Sequence, residues 1–425
     1  MTFTHLDEVL DEVKPLGQLF AQAGYRLFLV GGIVRDQWLD EPLDTSSDID
    51  LTTNALPAEI KRIVSSLADD LWTQGERFGT IGLRSAGRDY EITTHRAESY
   101  SSGSRKPTVS FGDDIGVDLS RRDFTVNAMA IELPGGELVD PFGGATDLPA
   151  RRLRTPLSAD ISFTDDPLRM LRAARFATKY ALVPEDELTA SATTLHERLR
   201  IVAIERIGVE LRRLLGLESA RVGLAFLAET GLLAEVVSYG EPALIEQVQP
   251  RMAHAIKVAD ELPPDWHQRL AGIAVTLFGT AEGVYALCER LRLSKDNERR
   301  IVRMSRSALQ VIERTDADDE MVRRWIDSCE DRAVALGLAA VLAKDPNNVA
   351  SFEQAVQALL AREGSADPTF LDGGVIMALL DVGPGPMIGA AQKFLRDGYF
   401  ANGPLTPAAQ QTMLLTWWAG QPSAN

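Results

Sequence analysis

Asp48 and Asp50 stand two apart in SSDIDLTT, a stretch whose residue types read as a β-strand. At the two-residue period of a strand, both carboxylates leave the same face. Like charges held side by side repel unless a cation lies between them. Hard oxygen ligands at this spacing suit Mg²⁺, which takes one or two carboxylates together with substrate phosphates. A DxD pair is also common on a solvated strand edge, so the pair alone leaves both readings open. Just upstream, LVGGIVRD carries an apolar run through Gly31-Gly32 directly into a helical start. Such a turn lets backbone N–H groups approach a phosphate, with the partial positive charge of the helix start in support. Arg35 offers a planar fork for the same anion. A tight turn that needs glycine for backbone reasons alone would look the same. Together, strand–GG–helix followed by a DxD strand describes a nucleotidyl-transfer site, in which a metal pair bridges a triphosphate and an attacking hydroxyl.

A third stretch, TDDPLRMLRAARF (164–176), sets Asp165 and Asp166 ahead of Arg169, Arg172 and Arg175. Asp166 before Pro167 suits a helix N-cap with proline in the first turn. Arginines three apart line one side of a helix and, on these residues alone, could simply face water.

The elements that must hold these groups follow from periodicity. YRLFLV (25–30), DIDLTT (48–53), TIGLRS, DYEITTH, NAMAIEL and ELVD read as strands, with GR, PGG and FGG as turns. LPAEIKRIVSSLADDL has helical spacing, with Ile60, Ile63, Val64 and Leu67 on one face. SYSSGSRKPTVSFGDDIGV (99–117) reads as a polar, Gly/Ser-rich loop. Beyond about residue 160 the pattern turns helical and stays so; Ile204, Ile207, Leu211, Leu214 and Leu215 form one apolar stripe in AIERIGVELRRLL. Trp266, Trp325, Trp417 and Trp418 read as packing residues rather than base-stacking platforms.

The 425 residues suffice for about three domains. A hydrophobic share of 45% and a charged share of 25% are ordinary for a soluble globular chain. The two cysteines, Cys288 and Cys329, suggest neither a disulfide framework nor a metal knuckle. The polar, acidic N-terminus does not read as a signal peptide, and no run is long enough to span a bilayer. A cytoplasmic protein is expected. A formal charge of -17 argues against a wholly basic nucleic-acid binder. Charges more than about 8 Å apart are screened at physiological salt, so a local basic groove can survive. Arginines indeed crowd the first half of the chain. There is no GxxxxGK followed by Ser or Thr and no GxGxxG, which excludes the P-loop and leaves the dinucleotide fold unsupported.

Taken in order, LVGGIVRDQWL, SSDIDLTTNALP, ERFGTIGL, YEITTHR, DLSRRDFTVNAMAIEL, VDPFGG and DDPLRMLRAARF resemble the motifs of class II tRNA nucleotidyltransferases. That family comprises the bacterial and eukaryotic CCA-adding enzymes and the bacterial poly(A) polymerases. The likeness runs over roughly residues 20–235. It implies an α+β fold: a polymerase-β-like nucleotidyltransferase head with a mixed sheet, followed by all-α neck, body and tail domains. The expected division is head 1–155, neck 156–235, and body and tail 236–425, the last binding tRNA.

Carried over by position, Asp48 and Asp50 resemble the catalytic metal carboxylates of a two-metal Mg²⁺ site, with Glu91 as a third acidic group. Gly31, Gly32 and Arg35 resemble the triphosphate-binding turn. Arg122 and Asp123 match the pair that contacts the incoming ribose, with Asn127 nearby. Asp166 and Arg169 match the base-reading pair, flanked by Asp165 and supported by Arg172. The chemistry of the bases fits that role. Cytosine and adenine each present an amino donor beside a ring-nitrogen acceptor, which a carboxylate and a guanidinium complement. Uracil and guanine reverse that order, and a paired contact of this kind is worth roughly 1–3 kcal/mol of discrimination. The resemblance implies template-independent addition of CCA to tRNA from CTP and ATP. Poly(A) polymerase and C-only or A-only tailing enzymes are same-fold alternatives. A non-catalytic RNA-binding protein is the alternative from another class. In the family a flexible loop at 99–117 switches the pocket from C to A. No His-Asp dipeptide occurs, so no HD phosphohydrolase activity is expected, and no membrane partner.

Overall fold

The computed structural model describes residues 4–39, 48–99, 108–314, 317–364 and 368–421. The chain divides into two compact units. Residues Met1–Ala253 with Arg290–Arg292 form one, and His254–Glu289 with Leu293–Asn425 form the other.

The first unit opens with α1 (Thr4–Gln22), whose Val9, Val13, Leu16 and Phe20 make one buried stripe. Next come β1 (Leu27–Val30), α2 (Gly32–Trp38), β2 (Ile49–Thr53), α3 (Pro57–Val64), β3 (Asp70–Trp72), β4 (Thr80–Ser85) and β5 (Arg88–Thr94). A ribbon of β6 (Arg96–Ser99) and β7 (Thr108–Phe111) follows, then α4 (Ile115–Ser120), β8 (Ala130–Leu133), β9 (Glu137–Val139) and the short α5 (Gly144–Asp147). The main sheet has the order β3-β4-β5-β2-β1-β8-β9. All its pairings are antiparallel except β2 with β5. Central β1 is buried along its whole length, which explains a continuous apolar run instead of an alternating one. Ala86 and Gly87 both take positive φ, +50° and +81°, the geometry of the tight β4–β5 hairpin.

Two expectations are corrected. The helical spacing over LPAEIKRIVSSLADDL overruns: α3 ends at Val64, and Asp70–Trp72 pairs antiparallel with β4. Ser65 Oγ donates to the Arg62 carbonyl at 2.8 Å, a local bond that competes with further helix. The stretch 99–117 is not all loop, because Thr108–Phe111 pairs with Arg96–Ser99 and a helix starts at Ile115. The rest of that loop, 100–107, lies outside the described residues.

The helical part of the unit begins with α6 (Ala159–Asp165) and α7 (Leu168–Lys179). It continues through α8 (Asp186–Leu195), α9 (Ile204–Leu215), α10 (Arg221–Glu229) and α11 (Leu232–Ser238). The five apolar residues expected to form the stripe of α9 are all buried. Helix α10 crosses α7 closely at Gly223, where a Cβ would stand 2.7 Å from the Ala174 carbonyl oxygen.

The second unit is entirely helical among its described residues. Trp325 is buried and donates its indole N–H to the Ser307 carbonyl at 2.9 Å. Trp417 and Trp418 pack on a cluster of Ile376, Leu380, Ala391, Leu395 and Leu414, and Trp266 stacks on His267, so these tryptophans are packing residues as expected. Cys288 and Cys329 are buried and unpaired. Among the described residues no single helix is long and apolar enough to cross a membrane.

Candidate active site

The site gathers at the β1–α2 turn. Gly31 has φ +81°, a conformation that favours glycine, and a Cβ there would lie 3.4 Å from Asp50 Oδ2 and 3.6 Å from Arg122 Nη1. Gly31, Asp50 and Arg122 therefore converge. Asp50 lies on β2 opposite Glu91 of β5, and side chains paired in adjacent strands share a face. Asp48 precedes β2 by one residue.

Asp50 keeps contact with solvent, yet its carboxyl is pushed up to about 6. Desolvation by the surrounding protein is the main cause. Arg122 pulls the other way, while Glu91 and Asp48 add to the rise. Three carboxylates crowd one face at a cost to ionisation, and a divalent cation would remove that cost. The donor set, all hard oxygens, fits Mg²⁺.

The next layer is the RRD stretch after α4. Asp118, fully buried, accepts from Arg121 Nη2 at 2.6 Å, Arg121 Nε at 3.1 Å and the Arg96 amide at 3.1 Å. Arg122 Nη2 stands 3.5 Å from its other oxygen. Burial alone would push the Asp118 carboxyl up, but the two guanidinium groups outweigh it and hold it below the usual range. Asp123 is also buried. Its Oδ1 accepts from the Phe124 amide and from Asn127 Nδ2, each at 2.9 Å, and its Oδ2 meets Arg172 Nη2 at 2.6 Å. Burial raises this carboxyl too, and Arg172 with Asn127 more than reverses the effect.

Asn127 Oδ1 in turn accepts from Arg35 Nη1 at 2.6 Å. Arg35 is 6% exposed, pairs with Asp36 at 2.7 Å, and holds its guanidinium 4.3 Å over the Tyr180 ring. Its fork is thus turned into a buried relay, Arg35–Asn127–Asp123–Arg172, that ties α2 to α7. Arg35 stays beside the glycine turn, where a Cβ on Gly32 would stand 3.3 Å from its Nη2, and its guanidinium is held in place there. The aromatic face of Tyr180 and the Asn127 carbonyl are the physical reasons for it.

The three arginines of α7 do not simply face water. Arg169 Nη1 donates to Ser162 Oγ at 2.8 Å and Nη2 to the Arg121 carbonyl. Arg172 meets Asp123, and Arg175 Nε donates to the buried Glu210 at 2.6 Å. Pro167, not Asp166, directly precedes α7; Asp166 Oδ1 accepts from the Leu168 amide at 3.2 Å, and its Oδ2 accepts from Arg206 Nη2 at 2.9 Å. Asp165 closes α6 beside it.

Sequence reading did not single out Asp118, Ser162, Arg206 or Glu210. Asp118 had a signal, three and four residues before Arg121 and Arg122. Arg206 and Glu210 lie far along the chain from their partners, and nothing local marks them.

Residues 27–154 match the poly(A) polymerase head domain, and 184–244 match the probable RNA- and SrmB-binding site of polymerase A. The chain is 39% identical over 236 residues to the CCA-adding enzyme of Levilactobacillus brevis, which covers 55% of this chain and 57% of that one. Over these stretches the chain is similar to the poly(A) polymerase head, to a polymerase A RNA-binding region and to a CCA-adding enzyme. A second relative, the CCA-adding enzyme of Leuconostoc citreum, is 34% identical over 234 residues, 55% of this chain and 56% of that one. The matched stretch thus spans a little over half the length of these curated relatives. The Bacillus stearothermophilus CCA-adding enzyme in complex with CTP superposes with a TM-score of 0.71 at 24% identity, over 98% of each chain. The Thermotoga maritima CCA-adding enzyme complexed with tRNA does so with a TM-score of 0.65 at 20% identity, over 96% of this chain and 95% of that one. These solved structures therefore share this fold over nearly the whole chain.

Proposed function

We propose that this protein adds the 3′-terminal CCA to tRNA, using CTP and ATP and no nucleic-acid template. One observation carries the reading: Arg169, of the Asp166/Arg169 pair, donates to the Arg121 carbonyl in the same RRD turn whose Arg122 lies beside Gly31 and Asp50. A base held by that pair has its ribose near Arg122, Asp123 and Asn127 and its phosphates at the Gly31-Gly32 turn. The relatives' activity on tRNA, and the CTP, ATP and tRNA complexes of family structures, support the same reading.

In the reaction the terminal ribose hydroxyl attacks the α-phosphate in line and pyrophosphate leaves. Asp48, Asp50 and Glu91 would hold Mg²⁺, which when bound activates the hydroxyl and neutralises developing charge. The Gly31 and Gly32 amides and Arg122 face the departing pyrophosphate. Arg35 acts one step behind, holding Asn127 and through it Asp123. Arg206 orients the Asp166 carboxylate, an acceptor that repels a base turning a carbonyl toward it. Arg172 fixes the Asp123 carboxylate, and Asp165 lies at the rim of the base site. The chain works in the cytoplasm, where tRNA is made and thiols such as Cys288 and Cys329 stay reduced.

The head-domain match to poly(A) polymerase favours a second reading, tailing with A alone. Calorimetric titration of the protein with each nucleoside triphosphate in Mg²⁺ tests the base-reading pair. CTP and ATP are expected to bind at least about tenfold more tightly than UTP and GTP. Equal affinity for all four would contradict the proposal, and binding of ATP alone would favour the second reading.

A further inference from the structure

Arg169 is the group whose orientation decides the proposed base choice, and its guanidinium is fastened from two sides. Nη1 donates to Ser162 Oγ at 2.8 Å, and Nη2 donates to the main-chain carbonyl of Arg121. Ser162 is 3% exposed and lies within α6. That helix is tied to α8, because the Ala159 amide donates to Glu187 Oε1 at 3.1 Å and Ser191 Oγ donates to Asp160. The Arg121 carbonyl is steadied in its turn by the fully buried Asp118, which grips the Arg121 side chain. A long side chain left to itself samples many rotamers. A planar guanidinium held at two of its nitrogens cannot turn about its last torsion without breaking a bond.

We infer that Ser162 is a positioning residue for base selection: with the Arg121 carbonyl, its hydroxyl fixes the plane in which Arg169 offers its remaining N–H groups to the incoming base. The inference rests on the base-reading role proposed for Arg169. A fixed donor meets the ring-nitrogen acceptor of cytosine or adenine and collides with the ring N–H of uracil or guanine. A freed donor swings toward the neighbouring carbonyl, and the wrong base is no longer refused. Loss of the Ser162 hydroxyl therefore lowers discrimination more than rate. A serine that only supported the fold would lower turnover of every nucleotide alike.

The test is kcat/KM for CTP and for UTP on a tRNA transcript ending at the discriminator base. The proteins are the parent, Ser162→Ala, Ser162→Thr, Arg169→Ala and the Ser162→Ala/Arg169→Ala double variant. The CTP-over-UTP ratio is expected to fall about tenfold in Ser162→Ala, one lost positional constraint on a paired contact. Ser162→Thr, which keeps the hydroxyl, restores it. The double variant is expected to discriminate no worse than Arg169→Ala alone, because Ser162 acts through Arg169. Where turnover is too slow, calorimetric Kd values for CTP and UTP give the same ratio. An unchanged ratio in Ser162→Ala beside a collapsed ratio in Arg169→Ala overturns the inference and leaves the base-reading role standing. An unchanged ratio in Arg169→Ala removes that role, and the inference with it. A Ser162→Ala protein that melts earlier and loses CTP and UTP turnover equally also overturns the inference.

Discussion

His95 shows how the site's surroundings couple to pH. Its ring is buried, 5.6 Å from Phe28, with Nδ1 2.9 Å from Thr52 Oγ1. Thr52 gives its own proton to the Thr93 carbonyl, so the histidine Nδ1 is the donor, and Nε2 lies buried without a hydrogen-bond partner among the described residues. Desolvation is the main reason its pKa falls from 6.5 to about 4; Asp118 opposes this, and Arg26, Arg121 and Arg122 add to it. The unfolded chain binds a proton below about pH 6.5 that the folded protein refuses until about pH 4. This contribution to stability is therefore intact above pH 6.5 and is lost as pH falls through that window, by roughly 2–3 kcal/mol at pH 4.5. Urea unfolding at pH 7 and pH 4.5 checks it. His95→Gln should lose less stability between the two conditions than the parent, by about that amount, and an equal loss would refute the assignment.

At the scale of the element, the β1–α2 turn is the critical piece. Gly31→Ala combines a left-handed backbone, strained for alanine by roughly 1–2 kcal/mol, with a methyl directed at Asp50 and Arg122. Its thermal midpoint should drop by only a few degrees, while nucleotidyl transfer should fall by about a hundredfold or more as the carboxylate and guanidinium are displaced. Near-normal activity in a folded Gly31→Ala protein would place the triphosphate elsewhere. Much of this architecture is legible in the sequence because the strands obey a period of two and α9 a period near 3.6. Residues 108–111 escape notice because TVSF is short and sits in polar, Gly/Ser-rich surroundings. Asp70–Trp72 is missed because an amphipathic pattern continues past the point where Ser65 closes the helix. The same limit governs the site. Asp48 and Asp50 are suggested by local spacing, and Asp166 and Arg169 by the family motif they resemble, whereas the Arg206 and Glu210 contacts are made by tertiary packing of α9 on α7. Arg35 carries the right chemistry for an anion, yet the ring of Tyr180, a long way down the chain, takes up its guanidinium face.

For the whole molecule, a net charge of -17 is compatible with the proposed RNA substrate because of where the arginines go. In the first unit many are spent in pairs with buried carboxylates, Asp118, Asp123 and Glu210, that hold the site's geometry. Specificity in this account comes from a rigid protein template and not from a diffuse positive surface. The most direct measurement offers the purified protein, Mg²⁺ and all four nucleoside triphosphates to tRNA transcripts ending at the discriminator base, at C and at CC, and sequences the 3′ ends. All three are expected to be extended to CCA and to stop there. Long A tails, products that halt at CC, or no addition at all would contradict it.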